Sequence, residues 1–139
     1  MVSFFFSTGG SAQAAQARGA DFAYIGSAFI ATDEARATDA YKQAIVEGTS
    51  DDVVYSNLFT GVHGNYLAPS IRAAGLDPDN LPESDPSKMN FGGGAQKAWK
   101  DIWGCGQGIA AVEKVQPTAE LVARLKREYA QAKASLLAA

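Results

Sequence analysis

The stretch Gly19-Ala20-Asp21-Phe22-Ala23-Tyr24-Ile25-Gly26 joins a helix stop directly to an apolar run of one strand's length. Its neighbours make it the strongest constraint on the fold. Ser11 to Arg18 is rich in alanine and glutamine, both good helix formers, and Gly19 follows as a C-terminal cap. Phe22 to Gly26 then reads as a buried strand. Thr32 can cap a helix over 33–47, with Asp33 and Glu34 in its first turn, where acidic groups are favoured. Ala37, Tyr41, Ala44 and Ile45 share one face of that helix, and Gly48 closes it. Phe4 to Phe6 reads as the tail of an earlier strand. Strand, helix, strand and helix joined by short glycine-marked links is the pattern of a parallel α/β sheet.

After Gly48 the pattern changes. Val53-Val54-Tyr55 is a β-branched run, followed by a glycine-rich turn and a short helix ending at Gly75. Residues 76–94 carry several prolines and a triple glycine without periodicity, which predicts a long surface excursion. Residues 95–103 read as a helix with Trp99 and Trp103 one turn apart, which serve as packing anchors. Leu121, Val122, Leu125, Tyr129 and Leu136 recur at helical spacing and predict a last helix over 118–136, with Lys126 and Arg127 on its solvated face.

Composition excludes several classes. Hydrophobic residues make up 47% and charged residues 19% of 139 positions, enough for a core and far from a disordered chain. A net charge of −3 with a pI near 5.0 gives no reason to expect nucleic acid as a partner. No apolar run is long enough to span a bilayer, and the N-terminal phenylalanines lack the basic flank of a signal peptide. The expectation is therefore a cytoplasmic chain without membrane contact. Cys105 is alone, so neither an internal disulfide nor a cysteine metal cluster can form, and no metal is expected.

The end of the predicted strand carries the most suggestive chemistry. In parallel sheets the ligand crevice lies at the carboxyl ends of the strands. A glycine there lets a phosphate approach the backbone, and the next residue, Ser27, adds a hydroxyl donor. A helix beginning near Thr32 would add the positive end of its dipole. In α/β barrels the recurrent phosphate site lies on the loops after the last two strands. Gly26-Ser27 on its own serves equally well as a simple turn.

Four segments in order carry a family resemblance: "GADFAYIGSAFIAT", "AYKQAIV", "LFTGVHGNYLAPSIRAAGLDP" and "AWKDIWGCGQGI". Together they resemble the nitronate monooxygenases, formerly called 2-nitropropane dioxygenases, over nearly the whole chain. The resemblance implies the C-terminal part of a TIM-type (β/α)8 barrel with a helical C-terminal extension, helix-rich as an isolated fragment. It implies an enzyme that uses flavin mononucleotide (FMN) to oxidise alkyl nitronates with molecular oxygen. The family's Gly-Ser or Gly-Thr after the eighth strand binds the flavin phosphate, which maps the cofactor contact onto Ile25, Gly26 and Ser27.

The resemblance also has gaps. A full barrel takes about 250 residues, and the first six strands have no counterpart here. Neither does the family's "AGGH"-like segment with its catalytic histidine, so the catalytic residue is unknown. Aligned without gaps, Phe4 falls near the family's seventh-strand phosphate glycine, and Gly9 or Gly10 could replace it only with a shortened helix. The expected organisation is one partial domain: 1–48 as the last barrel units, 49–94 as an irregular insertion and 95–139 as C-terminal helices. Besides a truncated enzyme, the sequence admits a non-catalytic flavin- or phosphate-binding remnant, or an assembly module completing a barrel with another chain. An exposed strand edge further predicts self-association unless a missing N-terminal barrel half covers it.

Other candidates have simpler readings. His63, between two glycines and without an orienting partner, reads as an exposed turn histidine rather than a base or metal ligand. Gln107 in "GCGQG" reads as part of a glycine-rich connection, although in the family that loop approaches the active site. Cys105 has no basic neighbour to lower its pKa, so it is not expected to be a nucleophile. Asp51-Asp52 reads as a cap rather than an acid/base couple.

Overall fold

Alanine-rich sequence and two well-formed ends make α1 (Gly9–Ala17). Thr8 caps it by accepting from the Ser11 N–H at 3.2 Å, and the Ser11 hydroxyl donates back to the Thr8 carbonyl at 2.9 Å. It stops where expected. Gly19 takes φ 89°, its N–H donates to the Gln16 carbonyl, and that of Ala20 donates to the Ala15 carbonyl. This paired return needs a left-handed residue, which only glycine adopts cheaply.

The computed structural model describes residues 6–84 and 101–138. Phe4 and Phe5, Trp99 and the triple glycine of the sequence reading lie outside these residues. The chain divides into two compact units, residues 1–47 with 108–139 and residues 48–107.

In the first unit, α1 packs on the long helix α5 (Thr118–Leu137), the helix read from the sequence over 118–136. Leu121 is 1% exposed, and the backbones approach so closely at Gly9 that its N–H donates to Glu128 Oε2 at 2.7 Å. Arg124 reaches the carbonyls of Ala111 and Ser7 and pairs with Glu128 at 3.6 Å, tying the helix to both flanking segments. Lys126 and Arg127 are exposed as expected. Leu136 keeps the spacing but is exposed, because α1 packs only against the earlier part of α5.

Two expectations for this unit are corrected. Phe22 to Gly26 forms no strand, with Phe22 92% and Tyr24 86% exposed. A strand exists through its ladder, and no described residue pairs with this segment. The helix expected from Thr32 over 33–47 is shortened to α3 (Asp39–Glu47), and a separate turn, α2 (Ser27–Ile30), lies before Thr32. Thr32 donates its hydroxyl to the Phe29 carbonyl at 2.8 Å and bridges in parallel to Gln116, whose carbonyl accepts from the Asp33 N–H. Those contacts hold the segment away from helical geometry. Thr38 performs the cap instead, accepting from the Tyr41 N–H at 3.3 Å. Ile45 is fully buried, as its face predicted, and Lys42 is buried with its ammonium on the Asp33 carbonyl.

The second unit contains regular structure where an irregular insertion over 49–94 was expected. Strand β1 (Val53–Ser56) confirms the β-branched run and pairs antiparallel with β2 (Gly64–Leu67), Val53 opposite Leu67 and Ser56 opposite Gly64. Helix α4 (Ala68–Ala73) has Pro69 in its first turn and ends at Gly75, φ 80°, with the same paired return seen at Gly19. The stretch 103–105 extends the hairpin: Leu67 N–H donates to the Trp103 carbonyl at 2.8 Å, and Cys105 N–H to the Asn65 carbonyl at 3.1 Å. Leu67 and Ile71 are fully buried. No helix among the described residues is long and apolar enough to cross a membrane.

Candidate functional site

Ile25, Gly26 and Ser27 lead into α2, the single helical turn Ser27–Ile30. Gly26 is its N-cap, and its carbonyl accepts from the N–H groups of Phe29 at 2.9 Å and Ile30 at 3.3 Å. The helix that follows Gly-Ser therefore starts at Ser27 itself rather than at Thr32. In such a turn the first N–H groups have no carbonyl within the helix to bond, which suits an anion. Ile25 and Ser27 are half-buried, Gly26 is exposed and Ala28 is buried.

Neither conformation nor packing demands a glycine at position 26. Its φ of −114° is open to any residue. A Cβ built there would meet only the Tyr24 ring, at 3.8 Å. Nothing else lies within 4 Å of that position. Gly9 is the opposite case: a Cβ there would lie 2.0 Å from the Leu125 carbonyl oxygen. Gly9 begins α1 and is filled by α5, so it is a packing glycine.

His63, Cys105 and Gln107 all belong to the second unit. His63 is exposed beside the hairpin and stacks on Tyr55, with centroids 4.8 Å apart and planes 22° from parallel. That stack was not legible in the sequence, since it depends on the β1–β2 register. Gln107 is exposed and opens the 3-10 turn Gln107–Ala111. The Cys105 thiol is pushed up to about 12 by burial and by the negative field of Asp52, so it stays protonated at neutral pH. Asp52 closes a capping box with Thr49, accepting from its N–H at 2.9 Å, which bears out the cap reading of Asp51-Asp52. No group of three or more His, Cys, Asp or Glu gathers at metal-binding range among the described residues.

The nitronate monooxygenase family matches residues 6–128, which include Ile25, Gly26, Ser27, His63, Cys105 and Gln107. The chain belongs to the nitronate monooxygenase family. A nitronate monooxygenase from Paraburkholderia phytofirmans is 31% identical over 130 residues, covering 88% of this chain and 36% of the relative. The chain thus spans about a third of that relative's length. Among solved structures, a nitroalkane oxidase from Streptomyces ansochromogenes matches with TM-score 0.71 and 28% identity, over 94% of this chain and 39% of the other. FabK from Thermotoga maritima matches with TM-score 0.66 and 17% identity, over 96% and 44%. These neighbours are TIM-barrel enzymes, and the nitronate monooxygenase family is one of flavin-dependent oxidoreductases.

Proposed function

We propose that this chain is the C-terminal portion of a cytoplasmic, FMN-dependent nitronate monooxygenase, with Ile25, Gly26 and Ser27 as one end of the flavin phosphate cradle. The observation that carries the reading is the open space at Gly26, at the start of α2, where neither φ nor packing calls for a glycine. A phosphate oxygen can approach the backbone there without meeting a β-carbon. On this reading the Ser27 hydroxyl and the first amides of α2 donate to it. Ile25 supplies an apolar shoulder beside the anion. The flavin, when bound, supplies the redox chemistry that passes electrons from an alkyl nitronate to oxygen. The chain's own part is to bind and orient that cofactor. On this reading the family's catalytic histidine comes from the rest of the enzyme, and His63, stacked on Tyr55, keeps the role of a turn histidine.

The test uses the chain alone and the chain joined to the remaining barrel portion of the Paraburkholderia relative. Alone, it should bind FMN weakly and show no oxygen uptake with a small alkyl nitronate, because phosphate contacts without ring burial do not offset the ligand's lost freedom. The completed protein should recover both. In that protein Ser27→Ala should weaken FMN by about 1.5–3 kcal/mol, one hydrogen bond to a charged group. Gly26→Val should weaken it further while leaving the helical signal of the chain unchanged, since a Cβ meets only Tyr24 at 3.8 Å. Equal affinity in all three proteins would place the phosphate elsewhere.

A further inference from the structure

The turn α2 is held from behind. Residues 22–25 sit in no ladder with the described residues, and the bonds that fix α2 come after it. The Thr32 hydroxyl donates to the Phe29 carbonyl at 2.8 Å, and the Gln116 N–H donates to the Ala31 carbonyl at 3.4 Å. Asp33 is caught at both backbone groups. Its N–H donates to the Gln116 carbonyl at 3.1 Å, and its carbonyl accepts from the Lys42 ammonium at 3.2 Å. Glu34 then accepts from the Thr118 N–H and hydroxyl at 2.9 and 2.7 Å, so the anchoring runs from Phe29 to Glu34. Lys42 comes from α3 and is only 7% exposed. Taking an ammonium out of water is costly, and an apolar side chain of similar length would fill the space without that cost.

We propose that Lys42 is a positioning residue for the flavin phosphate, acting through the Asp33 backbone to fix where α2 presents Gly26 and Ser27. The proposal rests on the cradle reading above and names the residue that holds the cradle still. Hydrogen bonds to a phosphate weaken steeply with poor distance and angle, so donors that wander bind it badly. Donors fixed in advance need no ordering when the ligand arrives. A single helical turn cannot supply that rigidity by itself, because its few hydrogen bonds do not offset the ordering of its backbone. The geometry of α2 is therefore inherited from the segment behind it. Of the two anchors on Asp33, Gln116 acts through its backbone and Lys42 through its side chain, so the lysine is the one a substitution can remove. It acts on the phosphate only through the Asp33 backbone and α2.

The experiment compares FMN with riboflavin, which carries the same ring without the phosphate. It uses this chain joined to the remaining barrel portion of the Paraburkholderia relative, the protein in which the cradle itself is tested. The parent should bind FMN more tightly than riboflavin. Lys42→Met keeps the length of the side chain and removes the charged donor. It should weaken FMN by about tenfold, the loss expected for one bond from a charged donor, and leave riboflavin unchanged. Lys42→Arg retains a charged donor and should keep most of the FMN preference. A lysine that merely supports the fold would move both affinities together or neither. Thr32→Val removes the bond to the Phe29 carbonyl at nearly constant volume; it should repeat the effect, and it decides the matter if Lys42→Met does not fold. In the chain alone, without flavin, amide exchange of Phe29 and Ile30, whose N–H groups close α2, should quicken by about tenfold in both variants. The proposal is overturned if the parent prefers FMN and both variants keep that preference in full. It is equally overturned if Lys42→Met weakens both ligands to the same degree. A parent that binds FMN and riboflavin alike removes the phosphate reading at Gly26, and this proposal with it.

Discussion

Adjacent glycines at the start of α1 should respond to alanine with opposite signs. At Gly9 an added Cβ would lie 2.0 Å from the Leu125 carbonyl oxygen, 2.5 Å from the Tyr129 nitrogen and 2.9 Å from the Glu128 Cβ. The two nearest atoms are backbone, so no side-chain rotation relieves the overlap, and α1 must withdraw from α5. Overpacking of this kind costs about 1–3 kcal/mol. Withdrawal also stretches the 2.7 Å bond from the Gly9 N–H to the Glu128 carboxylate. A bond to a charged group is worth about 1.5–3 kcal/mol, here nearer the lower figure because Glu128 is partly solvated. Against these stands a helix-propensity gain of at most about 1 kcal/mol for replacing glycine by alanine. Gly9→Ala should therefore destabilise by about 1.5–4.5 kcal/mol, the range those three contributions leave. At Gly10 nothing lies within 4 Å of the built Cβ. Only the propensity gain remains, so Gly10→Ala should stabilise by about 0.5–1 kcal/mol. Urea unfolding followed by far-UV circular dichroism measures both. A Gly9→Ala protein as stable as the parent, or a Gly10→Ala protein equally weakened, would refute the close-packed reading of the α1–α5 contact.

Ser70 is 1% exposed, donates to the Leu67 carbonyl at 2.7 Å and accepts from the Trp103 N–H at 3.0 Å. Ser70→Ala strips Trp103 of that acceptor and should cost about 1–3 kcal/mol, read by tryptophan fluorescence during urea unfolding. The Glu34 carboxyl is held below its ordinary 4.5 first by the Thr118 hydroxyl and then by the Thr118 N–H, at 2.7 and 2.9 Å. A carboxylate with a lowered folded pKa stabilises the protein above its unfolded value and loses that contribution as pH falls through the folded one. Acid titration of the helical signal should thus show a loss below pH 4.5, and Glu34→Gln should flatten that limb. With its thiol raised from 9.0 to about 12, Cys105 should react with iodoacetamide at pH 8 about a thousandfold more slowly than a free thiol. Labelling at the free-thiol rate would contradict its burial.

Local signals were legible wherever a residue acts on its immediate neighbours. Gly19 ends α1 because its own φ of 89° allows the return, and Asp52 caps a turn three residues from Thr49. The periodic face of α5 was likewise readable, up to the point where Leu136 passes beyond its packing partner. What failed depended on distant partners. Phe22 to Gly26 has strand composition, but composition does not supply the neighbour that a ladder requires. Thr32 looks like a cap until Gln116, far along the chain, takes over the backbone beside it. Strand β2 was missed because Gly-Asn-Tyr-Leu lacks β-branched residues and gains its place from Val53 and Val54 opposite. At the candidate site, the Gly26-Ser27 motif was readable, whereas the displaced helix start was not.

The bond between Gly9 and Glu128 joins residues 119 apart in sequence. During synthesis α1 emerges long before α5 and lacks that packing partner until α5 follows. At roughly 5–20 residues per second, that wait lasts about 6–24 s. The hairpin and α4, local in sequence, can form in the interval. Helix α1 thus waits for a partner made long after it, and a nascent chain stalled before Thr118 would expose the α1 face to chaperones.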